Sequence, residues 1–324
     1  MNPIYDYVQH LQVMFVIEKA IQSKSKRIGL RDSNLYELPK ELFKCLDAEM
    51  LLLQMNKLKT IPDSIGDLKK LWLICLDNND FDEFPVGLKQ LSQLKALNLC
   101  NNPLKEISSD IRELKNLTTL WVNNCKLKNL PEEISMCELL DSFGARNNQI
   151  TQLPNSIIKL HNLRWLTLEG NNLSFLPEEF DKLRALIHLN LNKNLFKSIP
   201  EVFIKMKELR FLYMESNRIT EFDEELLENM KHILKIYLAE NPIEKIPPVQ
   251  NIRFSNVIYP QLIYEQPEEH QSSNESDSSG NDWDSSMDSD EIEMMASSSE
   301  SEEDEPEFEF DEFYPRLAKY FLTY

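Results

Sequence analysis

Residues 163–177 read LRWLTLEGNNLSFLP, placing Leu163, Leu166, Leu168, Asn171, Leu173, Leu176 and Pro177 in the frame LxxLxLxxNxLxxLP. Leu166 and Leu168 are two apart, which sends both to one side of a short strand while Trp165, Thr167 and Glu169 point to the other. Asn171 falls where the chain turns. Its carboxamide carries both donor and acceptor and can satisfy turn backbone groups that no strand ladder reaches. The Leu-Pro step holds the following segment extended. The same frame returns at Asn56, Asn79, Asn102, Asn148, Asn194, Asn217 and Asn241, with Ser33 and Cys125 in the slot of the two repeats that lack the asparagine. That makes ten copies, stepped by 23 residues except for a last step of 24. A period of this size builds a stacked solenoid, each unit adding one strand to a parallel sheet. At roughly 4.8 Å per strand, ten strands predict a sheet about 43 Å long. Ser33 and Cys125 replace the carboxamide with weaker groups, so their turns are expected to be the softer ones. Ser108 and Asp223 stand in the proline slot of their repeats.

This frame resembles the leucine-rich repeat superfamily, and its 23-residue LPxx form is similar to the intracellular Ras-group repeats of the Ras–phosphatase scaffold family and its plant relatives. The resemblance covers about Lys24 to Pro248. It implies an α/β solenoid, a curved horseshoe with a parallel concave sheet and short helical or irregular convex segments. It also implies a non-enzymatic protein-binding scaffold or adaptor in intracellular signalling, with small GTPases or phosphatase subunits as partners.

The expected organisation is a capping helix over 1–24, ten repeats over 25–248, a C-terminal cap over 249–264, an acidic tail over 265–306 and an aromatic segment over 307–324. In the first of these, Asn2 is placed to cap a helix opening at Pro3. Ile4, Tyr7, Val8, Leu11, Met14, Phe15 and Ile21 fall on one helical face, which is expected to close the first repeat. No run approaches the ~20 apolar residues of a membrane span, and the apolar stretch Val13–Ile17 is too short and lacks the basic flank of a signal peptide. The five cysteines, Cys45, Cys75, Cys100, Cys125 and Cys137, lie inside the repeats. Their odd number and scattered placement predict reduced thiols and an intracellular setting, cytoplasmic or nuclear. Ile252, Phe254, Val257, Ile258, Leu262 and Ile263 are expected to cover the last strand.

Between Glu265 and Glu312 lie 20 of the 54 acidic side chains and none of the 35 basic ones; the whole chain carries −19, so the remainder is close to neutral. Such a stretch, rich in serine, is expected to be disordered. Ser272, Ser279, Ser285, Ser297, Ser299 and Ser301 each have an acidic residue three positions on, the pattern of an acid-directed kinase. The tail is read either as solubilising or as an electrostatic grip on a basic protein. Its layout is similar to that of the acidic nuclear phosphoproteins, although the repeats here are more regular and more numerous. The final segment, with Phe308, Phe310, Phe313, Tyr314, Leu317, Tyr320, Phe321 and Tyr324, is expected to dock back on the repeats or to serve as a short linear motif.

Function is expected on the outward strand positions. Trp121, Trp165, His188, Phe211, Tyr213 and Tyr237 make aromatic positions that the frame does not require to be apolar, bordered by Arg146, Glu169, Glu215 and Lys235. Aromatic residues inside a polar rim are the composition of protein-binding hot spots. Met50, Leu52, Leu73 and Cys75 form a second, weaker apolar area. Basic residues on this face (Arg27, Arg31, Arg146, Lys193, Lys235) are matched by Asp32, Asp77, Glu169, Glu215 and Glu240, which argues against nucleic acid as partner. The six glycines build no phosphate loop, and the histidines have no metal-ligand spacing. No catalytic residue, cofactor or metal is assigned.

Overall fold

The computed structural model describes residues 3–221, 223–244 and 256–258. Each repeat contributes one three-residue strand: β1 (Arg27–Gly29), β2 (Met50–Leu52), β3 (Leu73–Cys75), β4 (Ala96–Asn98), β5 (Thr119–Trp121), β6 (Ser142–Gly144), β7 (Trp165–Thr167), β8 (His188–Asn190), β9 (Phe211–Tyr213) and β10 (Lys235–Tyr237). They pair in chain order as one parallel sheet, with equivalent positions opposite each other, as in Trp165↔His188 and Thr167↔Asn190. The middle residue of every strand is buried, from Ile28 through Phe143 to Ile236, and so is the residue after it, from Leu30 to Leu238. The period-2 alternation thus separates a core side from an open side along the whole sheet.

An eleventh strand, β11 (Val257–Ile258), pairs with β10 through Ile236↔Val257. This corrects the expected ten-strand sheet and the reading of Val257 and Ile258 as a cover laid over the last strand. An open strand edge presents unpaired N–H and C=O groups, and hydrogen bonding to them satisfies more than an apolar lid could. The other cap residues, Ile252, Phe254, Leu262 and Ile263, lie outside the described residues, as do Asn2, the acidic tail with its six serines, and residues 307–324.

The repeating asparagine is the tie between repeats. Asn171 Nδ2 donates to Ala145 O of the preceding repeat at 2.9 Å and to Leu168 O of its own strand at 2.9 Å, and its Oδ1 accepts from Ile150 N at 3.0 Å. The same set recurs at Asn56, Asn79, Asn102, Asn148, Asn194 and Asn217 with identical sequence offsets. At Asn241 the offsets lengthen by one to absorb the 24-residue step. Cys125 cannot reproduce this set: its Sγ reaches Leu99 O and Asn123 O at 3.5 Å each, in place of the 2.9 Å bonds of a carboxamide. Ser33 keeps one bond, to Arg31 O at 3.2 Å.

A second requirement sits one residue earlier. Asp32, Met55, Asn78, Asn101, Asn124, Asn147, Gly170, Lys193, Ser216 and Glu240 all have positive φ. The left-handed conformation turns the chain out of the strand, and asparagine tolerates it better than most residues. The paired asparagines in the sequence therefore serve two purposes, the second buried and the first twisted. At Gly170 an added Cβ would lie 2.2 Å from Asn147 Oδ1, so a larger residue there requires the Asn147 side chain to move.

On the other side of each repeat, short 3-10 turns replace regular helices. Most open at a proline, such as Pro39, Pro62, Pro131 and Pro154. At Ser108 and Asp223, which stand in the proline slot, a side chain takes over. Ser108 Oγ accepts from Asp110 N at 3.2 Å. Asp223 Oδ1 accepts from Leu226 N at 2.9 Å and starts helix α2 (Glu224–Asn229), whose label follows the N-terminal helix α1 (Pro3–Ser23).

Helix α1 packs on β1 and on the first 3-10 turn. Its buried face is Val13, Ile17 and Ala20, at 3%, 0% and 6% exposure, while Tyr7, Val8, Leu11, Phe15 and Ile21 are exposed. The predicted apolar face is thus corrected. Val13, Ile17 and Ala20 follow the i, i+4, i+7 spacing of a contact stripe. The larger side chains lie on a different row of the helix, and their size made them look like the packing face.

The tie predicts opposite outcomes for two substitutions. Asn148→Ala strands Val122 O, Ala145 O and Leu127 N, and should cost about 3 kcal/mol given the penalty for buried unpaired groups. Cys125→Asn restores the missing bonds and should raise stability by about 1 kcal/mol. Urea unfolding midpoints of the three proteins check both.

Candidate interaction surface on the open face of the sheet

The open side of β7–β10 carries a continuous row of rings. The first strand position brings Trp165, His188 and Phe211 side by side, and the third brings Tyr213 and Tyr237. Trp165 and His188 stack with centroids 4.2 Å apart and planes 5° from parallel. His188 also meets Tyr213 at 4.8 Å and Phe211 at 6.4 Å, both tilted. Tyr213 and Tyr237 stack at 4.4 Å and 4°. Parallel strands about 4.8 Å apart set this spacing, since identical register puts flat side chains in contact without any rearrangement. Each such pair contributes on the order of 1 kcal/mol beyond area burial, so the row is held rigid before any partner arrives. Trp165, Phe211, Tyr213 and Tyr237 are half-buried, and Lys235 is exposed at the border.

His188 is the exception within the row: it retains 8% exposure. Burial between the rings drives its pKa down to about 4, with a main-chain hydrogen bond partly opposing the shift. The imidazole is therefore neutral at pH 7. Burial likewise raises the phenol pKa of Tyr213 and of Tyr237.

Beside the rings, the position two residues past each strand forms a polar ladder. Glu169, 7% exposed, takes Arg146 Nη2 at 3.1 Å on one oxygen and Lys193 Nζ at 3.3 Å on the other. Asn190 Nδ2 donates to the same carboxylate at 3.2 Å. Asn192 Nδ2 donates to Glu215 Oε2 at 2.9 Å, and Asn192 Oδ1 accepts from Glu215 N at 2.7 Å. Burial raises the Glu215 pKa, against the opposing pull of the Asn192 bond. A buried ion pair of this kind contributes little net stability, but it fixes the orientation of its members. Lys193, Asn190, Asn192 and Thr167 join the site although only their column position marked them in the sequence.

Trp121 is the third residue of β5. It lies two strands before Trp165, with Ser142 and Gly144 between, and its ring rests on Gly144, where an added Cβ would meet Trp121 Cδ1 at 3.1 Å. Trp165, His188, Phe211, Tyr213 and Tyr237 meet in the row, and Trp121 lies on the same face two strands before it. The second apolar area changes. Leu52, Leu73 and Cys75 are 7%, 0% and 1% exposed and offer no accessible apolar surface. All five cysteines are free and buried, and burial raises the pKa of each thiol. Among the described residues no His, Cys, Asp and Glu cluster has metal-binding geometry, and no helix is long and apolar enough to cross a membrane.

A family model described as leucine rich repeat matches residues 174–219, and a second of the same description matches residues 162–183. Both fall on the repeats that carry the ring row. Residues 162–219 match leucine-rich repeats, and the sheet has the fold of a leucine-rich repeat solenoid. A solved leucine-rich repeat protein of Leptospira interrogans matches the fold with a TM-score of 0.55 at 24% identity, over 75% of this chain and 79% of that chain. No curated protein matches the chain.

The burial of His188 predicts a pH dependence with a definite sign. Its folded pKa of about 4 lies below the ordinary 6.5, so the unfolded chain takes up the proton first. Its stabilising contribution is complete above pH 6.5 and is lost as the pH falls towards 4, by about 3 kcal/mol in all. His188→Phe should flatten the stability profile in that window, read by urea unfolding at successive pH values.

Proposed function

We propose that this leucine-rich repeat solenoid is a non-enzymatic scaffold or adaptor in intracellular signalling, taking a protein partner on the open face of β5–β10. Leucine-rich repeat domains generally mediate protein–protein interaction. The observation that carries the reading is the pre-formed ring row from Trp165 to Tyr237 with its charged border. Half-exposed aromatic residues locked by their neighbours lose little side-chain entropy on binding, which is what a hot spot needs. The paired charges around Glu169 suit a polar rim and leave no one-sided field for a polyanion. The repeat resemblance points to small GTPases or phosphatase subunits as the partner class.

A second reading rests on the acidic composition of residues 265–306: the chain acts as a chaperone or regulator of basic proteins. Salt separates the two. For partners captured by the intact chain, Trp165→Ala/Tyr213→Ala should lower affinity at least thirtyfold, the effect of losing about 2 kcal/mol of hot-spot contact. Raising salt from about 50 to 200 mM should change the affinity only slightly, because no large counterion release is involved. Binding that collapses in salt while the double variant is silent would reverse the choice.

A further inference from the structure

The open face of β6–β8 holds polar atoms that the fold leaves without partners. Thr167 Oγ1, His188 Nδ1 and Arg146 Nε are all buried and make no hydrogen bond. By the register, Thr167 lies between the other two, one strand and two residues from each, so the three sit on a diagonal across the sheet at steps of about 8 Å. Leaving such atoms unpaired costs each its full desolvation penalty, and folded proteins rarely tolerate it without a purpose. The same place is walled by Trp165, His188 and Tyr213.

We propose that this place docks an extended, uncharged segment of a protein partner, which brings an aromatic side chain to the ring row and successive main-chain amides to Arg146, Thr167 and His188. The proposal rests on the protein-binding reading above and specifies the chemistry of the partner. Arg146 Nε–H can only donate, Thr167 Oγ1 can donate or accept, and neutral His188 Nδ1 does one or the other according to its tautomer. An amide supplies an acceptor and a donor together. A carboxylate offers acceptors alone and would lie beside buried Glu169, whose charge already engages Arg146 and Lys193. An ammonium offers donors alone and would face the same two cations. Neither charge gains from His188, which is uncharged in its ring stack. An extended chain presents an amide every residue and side chains on alternate sides, matching a polar column beside an aromatic one.

The test titrates the intact chain with N-acetylphenylalanine N-methylamide, followed by tryptophan fluorescence and by the histidine NMR signal of His188. Three further probes are N-acetylphenylalanine as the anion, phenylalanine N-methylamide as the cation and N-acetylalanine N-methylamide as the ringless amide. The neutral aromatic probe should bind with a Kd on the order of 1 mM, and the other three at least tenfold more weakly. Thr167→Val and His188→Phe should each weaken it about tenfold with unchanged circular dichroism, and Thr167→Ser should restore it. The proposal is overturned if the neutral probe shows no saturable binding, if either charged probe binds as well, or if both variants are silent. Equal affinity for every ring-bearing probe, lost in Trp165→Ala, would sink this assignment and leave the broader protein-binding reading standing. That broader reading fails separately, if partner capture survives Trp165→Ala/Tyr213→Ala.

Discussion

Every repeat of this molecule ends its strand with backbone groups that point into the interior and have no partner in the sheet. The buried asparagine carboxamide answers them, donating back to its own strand and across to the preceding one while accepting the main-chain amide two residues past the equivalent turn. One side chain thus performs the satisfaction of a turn and the cohesion of two repeats. Because its bonds are to main-chain atoms, they do not depend on which outward side chains a repeat carries. The consequence is a division of labour within each strand. The inward positions and the carboxamide hold the stack together, and the outward positions are free to vary.

That freedom has been used unevenly. On β7–β10 the outward positions take flat side chains in register, and an unbroken parallel sheet turns such a column into a stack. The ring row is in this sense a product of the register as much as of the residues: Trp165 and His188 are 23 residues apart and meet at 4.2 Å because their strands are adjacent and in phase. Beside the rings the same register lines up carboxylates with amides and cations, and Glu169 becomes a node with three partners. A rigid apolar row and an oriented polar ladder then run side by side, with a few polar atoms between them that nothing in the fold satisfies.

The sequence was legible where a physical demand recurs at a fixed interval. The asparagine slot, the inward leucines and the outward columns all follow from period, and the structure keeps them in place. Weak points were legible too, since a thiol or hydroxyl at Cys125 and Ser33 lacks the chemistry of the carboxamide. Legibility failed at the ends, where periodicity stops. In α1 the bulkier residues Tyr7, Leu11 and Phe15 outweigh Val13, Ile17 and Ala20 in size, yet the smaller set is the one buried where the helix packs on β1. Val257 and Ile258 have no frame to mark them as a strand, and they become one because β10 offers an edge. The left-handed residue before each asparagine was visible only in part. Asn and Gly at that position advertise it, but Met55 and Lys193 take the same conformation because the stack imposes it.

By itself, then, the sequence determined the architecture and the identity of the outward residues, because a repeated pattern of burial and turn chemistry admits one way of stacking. The tertiary structure decided what those residues become. His188 reads as one more outward ring of the patch until neighbouring strands press Trp165 and Tyr213 against it and remove it from water. Leu73 and Cys75 read as surface until the structure buries them, and Trp121 lies against Gly144, where a Cβ would crowd its ring. Exposure, protonation and hydrogen-bond satisfaction are properties of neighbours brought together across 23 residues, and a frame that marks direction carries no measure of distance.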